Sequence, residues 1–175
     1  MIYDANNDPR LIAERAECKE LCHDYNHLRP KDVEGRRKII MELLGSVKGN
    51  FLIEQPFLCD YGYNIHIGDN FYANHNLVIL DGATVKFGDN VFVAPNCGFY
   101  TAGHPIDAAE RNKGLEYARP ITVGNDVWIG GNVCVLPGVT IGDDCVIGAG
   151  SVVVKDIPPH SVAVGNPCKV IKKIK

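Results

Sequence analysis

His104 sits in Thr-Ala-Gly-His-Pro, and an imidazole with an ordinary pKa near 6.5 can take a proton from a hydroxyl at neutral pH, as acyl transfer to an alcohol requires. Gly103 beside it lets a ligand approach closely. The other side chains able to do chemistry are scattered. Asn74, in Tyr-Ala-Asn, carries an amide that can hydrogen-bond a hydroxyl or an oxyanion, and it equally suits a turn. The ending Lys169-Val-Ile-Lys-Lys-Ile-Lys175 is a basic cluster, able to meet phosphates as point charges or to stand as a solvated tail. Cys18 and Cys22 lie near His23 and His27, but on one helix the thiols and imidazoles occupy different faces, which argues against a shared metal ion.

The elements that position these residues follow from pattern. The chain has 175 residues, 46% hydrophobic and 22% charged, which fits one globular domain and excludes disordered, collagen-like and fibrous classes. A net charge of -3 gives no global reason to expect nucleic acid or an anionic membrane as partner. The start lacks a basic segment followed by an apolar one, and no apolar run nears the roughly 18 residues that span a bilayer. A reducing cytoplasm, with the seven cysteines free, is the expectation.

Residues 1–50 read as a helical cap. Asp8-Pro9 is an N-cap and first-turn signature, with apolar residues near helical spacing until Pro30, and a second helix is expected from about Asp32 to Leu44, before Gly45. From there residues 51–175 form the second region, and a period of six emerges: Val123, Ile129, Val135, Ile141, Ile147 and Val153. The fourth following position is mostly apolar or small, from Val127 to Ile157. An earlier array runs Ile67, Ala73, Ile79, Val85, then shifts by two to Phe87, Val93 and Phe99. Each hexapeptide supplies a short strand and a turn, and three close one triangular coil, so stacked coils make a β-solenoid. Fifteen of the 18 glycines lie between Gly62 and Gly165, where such a chain must keep turning. The register breaks between Phe99 and Val123, so a loop at about 100–120 protrudes, with His104 at its root.

The repeat resembles the hexapeptide acyltransferases, whose fold is a left-handed parallel β-helix. More of the chain is similar to the maltose and galactoside O-acetyltransferase family: Tyr-Asp-x-x-x-Asp-Pro at the start, Cys-Asp-Tyr-Gly-Tyr-Asn-Ile-x-Ile-Gly (59–68), Asn-Phe-Tyr-Ala-Asn (70–74), Ala-Gly-His-Pro-Ile (102–106), Val-Trp-Ile-Gly-Gly (127–131), Pro-Gly-Val-Thr-Ile-Gly (137–142) and Gly-Asn-Pro-Cys-Lys-Val-Ile (165–171). This resemblance implies acetyl transfer from acetyl-CoA to a sugar hydroxyl, with no metal, no covalent acyl-enzyme, and a homotrimer whose active sites lie between subunits.

Residue by residue, the resemblance makes His104 the general base and Asn74 an active-site amide. Asp8 and Asp60 fall on sugar-contact positions, a further acidic contact corresponds to Gly82 with Asp81 beside it, and Glu116 is the candidate to orient His104. Asp8 also reads as a helix N-cap. For CoA it points to Trp128, Gly131, Ala149, Val154, Lys155, Lys169 and Lys172; relatives often carry Arg where the last two stand. Two other readings compete: an acetyltransferase for a streptogramin-type xenobiotic, and a solenoid that only scaffolds. The γ-class carbonic anhydrases share the solenoid but need three interfacial histidines, and His66, His75 and His104 lack that spacing.

Overall fold

The computed structural model describes residues 2–175. β1 (Ile2–Tyr3) precedes two helices, α1 (Pro9–His27) and α2 (Val33–Leu43). Both start where the sequence signals them: the Asp8 carboxylate accepts from Arg10 N, with Pro9 in the first turn, and that of Asp32 from Gly35 N.

The solenoid follows as β2 (Ser46–Val47), β3 (Phe51–Ile53) and β4 (Phe57–Cys59), then β5 (Ile65–Ile67), β6 (Phe71–Ala73) and β7 (Leu77–Leu80), then β8 (Val85–Phe87), β9 (Phe92–Val93) and β10 (Gly98–Tyr100). The protruding segment carries β11 (Ala102–Gly103), α3 (Ala108–Arg111) and β12 (Glu116–Ala118). Two more coils complete the column: β13 (Ile121–Val123), β14 (Trp128–Ile129) and β15 (Cys134–Val135), then β16 (Thr140–Ile141), β17 (Cys145–Ile147) and β18 (Val152–Val153). A sixth begins at Ile157, which bridges to Ile141, and ends in β19 (Ser161–Val164) and β20 (Lys169–Lys173). Ile157 thus takes a strand position, not the corner position its spacing suggests.

Three parallel sheets form the faces of a prism. The first is β2-β5-β8-β13-β16, the second β3-β6-β9-β14-β17-β19 with β20 added antiparallel, and the third β4-β7-β10-β15-β18. Strands bury alternate residues, so Val93, Ile129, Ile147 and Ala163 stack inside the second face, and Ile79, Phe99, Val135 and Val153 inside the third. The two-residue shift in the repeat lies at the edge between the third and first faces: Ile65 and Ile67, like Val85 and Phe87, both point inward, and the extra residues bulge before them. Phe87 then packs between Phe71 and Phe99, with ring centroids 5.0 and 4.9 Å apart.

Tight corners set the period. Asp126, Asn132, Gly138, Asp144 and Gly150 recur every six residues with positive φ, a conformation that Gly, Asn and Asp tolerate. The helices close the bottom of the column, where Asn26 Nδ2 donates to Phe57 O and Asn26 Oδ1 accepts from Phe57 N, each at 2.9 Å, replacing a missing strand neighbour.

The outer rows differ by face. The second face presents Leu52, Tyr72, Phe92, Trp128, Val146 and Val162 in register, with Leu52 and Phe92 43% and Trp128 57% exposed. The third presents Leu58, Val78, Cys134 and Val152, while the first is polar, with Ser46, His66, Lys86, Thr122 and Thr140. No helix of the described residues is long and apolar enough to cross a membrane.

Candidate active site

His104 owes its place to a clamp at the loop root. Thr101, fully buried, donates from N and Oγ1 to Leu80 O at 3.0 and 2.7 Å, accepts from Ala83 N at Oγ1, and accepts from Arg119 N at its carbonyl. Both ends of the loop are therefore tied to the corner of the coil below. β11 pairs antiparallel with β12, and β1 adds to the other side of β12, opposing Tyr3 to Glu116. His104 follows β11 directly.

Its side chain is 48% exposed. Nδ1 lies 3.1 Å from Leu115 O, and donating there leaves Nε2 with the lone pair. Nε2 stands 3.9 Å from Glu116 Oε1, too long for a hydrogen bond. Glu116 is expected to orient His104, but the main-chain carbonyl of Leu115 makes the orienting contact. Glu116 Oε2 in turn accepts from the Tyr3 hydroxyl at 3.2 Å, and burial together with Glu116 raises the phenol's pKa.

A cleft of about 240 Å³ opens beside this group, lined by Tyr3, Tyr61, Tyr63, Gly82 and Ala118 among others. A Cβ at Gly82 would stand 2.7 Å from the Tyr3 hydroxyl, so any side chain there would displace the phenol that holds Glu116. Arg15 donates to the Tyr61 hydroxyl at 2.7 Å and to Ala5 O at 2.6 Å, tying α1 to the cleft wall. Asp60 is half-buried; burial, then Asp81, pushes its carboxyl up to about 6 against the pull of Arg15, and Glu116 adds to the rise.

Asp81 needs correction as an acceptor contact. It is fully buried, and its Oδ1 accepts from Asp60 N and Tyr61 N at 3.0 and 2.9 Å, stapling the bulged corner that presents Asp60. A group with no exposed surface cannot touch a ligand, so Asp81 acts through its neighbours. Burial raises its pKa, and its Oδ2 has no partner among the described residues. Asp8 carries out its capping reading: Oδ1 accepts from Arg10 N at 2.9 Å and Oδ2 pairs with Arg10 at 3.1 Å. No contact joins it to His104.

Asn74 stands elsewhere. It follows β6 at the edge between the second and third faces, where its Oδ1 accepts from His75 N and its Nδ2 meets no acceptor among the described residues. The same edge carries Gly131 and Ala149 at the corners of higher coils, linked by the Gly150 N to Gly131 O bond. Val154 and Lys155 follow β18, on the edge between the third and first faces where His104 is rooted. One chain therefore separates Asn74 from His104 by the width of a face. Trp128 lies outward on the second face, and Lys172, opposite Val162 in β20, continues its row. The basic ending is thus no solvated tail: Lys169 and Lys172 stand exposed on a strand paired with β19. Among the described residues, Tyr3 and Leu115 are the contributors that sequence reasoning missed, because their roles depend on pairings across more than a hundred residues or on a main-chain atom.

Residues 1–49 match the family model described as the maltose acetyltransferase hexapeptide capping motif, and residues 120–155 match the bacterial transferase hexapeptide model of six repeats. The chain is 64% identical to a putative acetyltransferase of Saccharomyces cerevisiae, over 99% of this chain and 88% of that one. It is 52% identical to the galactoside O-acetyltransferase of Escherichia coli, over 94% of this chain and 81% of that one. Among solved structures it superposes on a maltose O-acetyltransferase from Clostridium difficile with a TM-score of 0.98 and 54% identity, covering 99% and 92% of the two chains. A galactoside acetyltransferase in complex with coenzyme A gives 0.97 and 48%, covering 99% and 86%.

Proposed function

Because the chain belongs to the hexapeptide-repeat acetyltransferases of the maltose and galactoside type, we propose that it transfers the acetyl group of acetyl-CoA to a hydroxyl of a sugar, with His104 as the base. The observation that carries this reading is the His104 environment: Nδ1 committed to Leu115 O, Nε2 free, and a carboxylate 3.9 Å away. In the proposed reaction Nε2 accepts the acceptor hydroxyl proton as that oxygen attacks the thioester carbonyl. The tetrahedral oxyanion then collapses, the C–S bond breaks, and the imidazolium returns its proton to the departing CoA thiolate. Glu116 steadies the imidazolium while it exists, and Tyr3 holds Glu116. Asp60 is assigned to the acceptor hydroxyls, as a carboxylate able to receive two of them.

The same reading assigns a homotrimer. The second and third prism faces carry apolar outer rows and the first is polar, a pattern expected of faces covered by neighbours around a threefold axis. Packing neighbours in this way would bring the Asn74 edge of one chain to the His104 edge of the next, with the small corners at Gly131 and Ala149 leaving room for a pantetheine arm. Trp128 and Lys172, in one outer row, are assigned to CoA with Val154, Lys155 and Lys169.

The test is release of free CoA from acetyl-CoA with maltose, a panel of glucosides and galactosides, and a streptogramin. Release with a sugar supports the reading; release with the streptogramin alone favours the xenobiotic enzyme, and none above background favours the scaffold.

A further inference from the structure

Outside the cleft, the chemistry most concentrated in the molecule is sulfur. Cys18 and Cys22, one turn apart on the buried side of α1, meet Cys59 at the end of β4. Cys18 Sγ lies 3.5 Å and Cys22 Sγ 3.8 Å from Cys59 Sγ, and all three sulfurs fall within 4.8 Å of one another. His23 and His27 stack on each other on the exposed side and do not join them. Sequence spacing shows only the first two thiols, because the third arrives from the solenoid.

We propose that Cys18, Cys22 and Cys59 form a binding site for a thiophilic ion satisfied by three sulfurs, with trivalent arsenic as the charge-matched occupant. Geometry comes first: a pyramidal three-coordinate ion that holds sulfurs at about 2.3 Å keeps them about 3.4–3.5 Å apart, the spacing at which Cys18 Sγ and Cys59 Sγ already stand, so the other pairs close on it by rotamer adjustment. Ligand type comes second, since thiolates select soft ions and no His, Asp or Glu side chain joins the set among the described residues. Charge decides within that class. The triad is buried, and Asp60 follows Cys59 directly with its N–H held by the buried Asp81. Three thiolates around a monovalent or divalent ion leave net negative charge in this buried setting, at a high desolvation cost. Arsenite avoids it: three S–H and three As–OH bonds break, three As–S bonds form, and three waters leave. The complex is neutral, and no oxidant or reductant is needed. Occupancy would tie α1 to β4 beside the acceptor cleft without taking part in acetyl transfer.

The experiment titrates the reduced full-length protein with arsenite and reads native mass spectra and arsenic K-edge absorption. The expected result is a mass gain of one arsenic less three hydrogens, with three sulfurs and no oxygen around the ion, and a rise in melting temperature as arsenite increases. Cys22→Ser and Cys59→Ser should each weaken binding at least tenfold, while Cys97→Ala, remote from the triad, should leave it unchanged. Should both serine variants fail to fold, the absorption spectrum of the unaltered protein still decides. No uptake at millimolar arsenite, an oxygen-ligated ion, uptake that survives in a folded Cys59→Ser protein, or tighter binding of cadmium than of arsenite would each overturn the assignment.

Discussion

At His104, Leu115 O holds Nδ1, which leaves Nε2 as the ring atom without a hydrogen bond among the described residues. On the proposed mechanism His104→Ala lowers turnover about 10² to 10⁴-fold while acetyl-CoA still binds, measured by CoA release alongside calorimetry; retained turnover would remove His104 as the base. Asp60 carries a second prediction at this scale. Its carboxyl, raised from 3.8 to about 6, holds its proton more tightly folded than unfolded, so protonation favours the fold and that share of stability is lost as pH rises from about 4 through 6. Asp60→Asn keeps the neutral form at every pH. It is expected to stabilise the protein by about 1 kcal/mol above pH 6, allowing for screening at a half-buried site, with the difference vanishing below about pH 4. Urea titrations across that range check it, and an asparagine variant less stable at pH 8 would contradict the assigned cause.

At the scale of elements, the bulged edge between the third and first faces explains why Asp60, Asp81 and His104 gather there. Regular hexapeptides leave no slack, whereas the extra residues around Asp60 and Asp81, and the whole loop at 101–120, stand above one another on consecutive coils. The helical cap has its own weak point. Asn26 occupies both polar groups of Phe57, so Asn26→Ala leaves a partly buried N–H and C=O unpaired and should cost about 1–3 kcal/mol in denaturant unfolding. A neutral substitution would mean that water reaches the base of β4. The period of six was legible because buried aliphatic residues and left-handed corners must each recur once per strand. Less legible was the Tyr3–Glu116 contact, which joins two short strands with no periodic signal of their own.

For the whole molecule, the separation of Asn74 and His104 onto different edges makes the trimer testable by activity. Asn74→Ala and His104→Ala proteins, each expected to lose most of the activity, are unfolded and refolded together in equal amounts. If each site takes His104 from one chain and Asn74 from its neighbour, about a quarter of the sites pair two intact residues, so the mixture recovers about that share of activity. No recovery in proven mixed trimers would place both residues in one subunit's site. Light scattering should return the mass of three chains, and a monomer mass would leave the assigned site half built.

The sequence by itself determined the solenoid, the two capping helices and the interrupted coil that carries His104, because each rests on local turn chemistry and on a burial pattern repeated along the chain. Tertiary structure decided what each side chain can reach. It buried Asp81 beneath Asp60, drew Lys169 and Lys172 into a strand, set Tyr3 against Glu116, and brought Cys59 to two thiols of α1. Those outcomes depend on which coil lies above which and on what the cap packs against, contacts between residues far apart in the chain that no local spacing records.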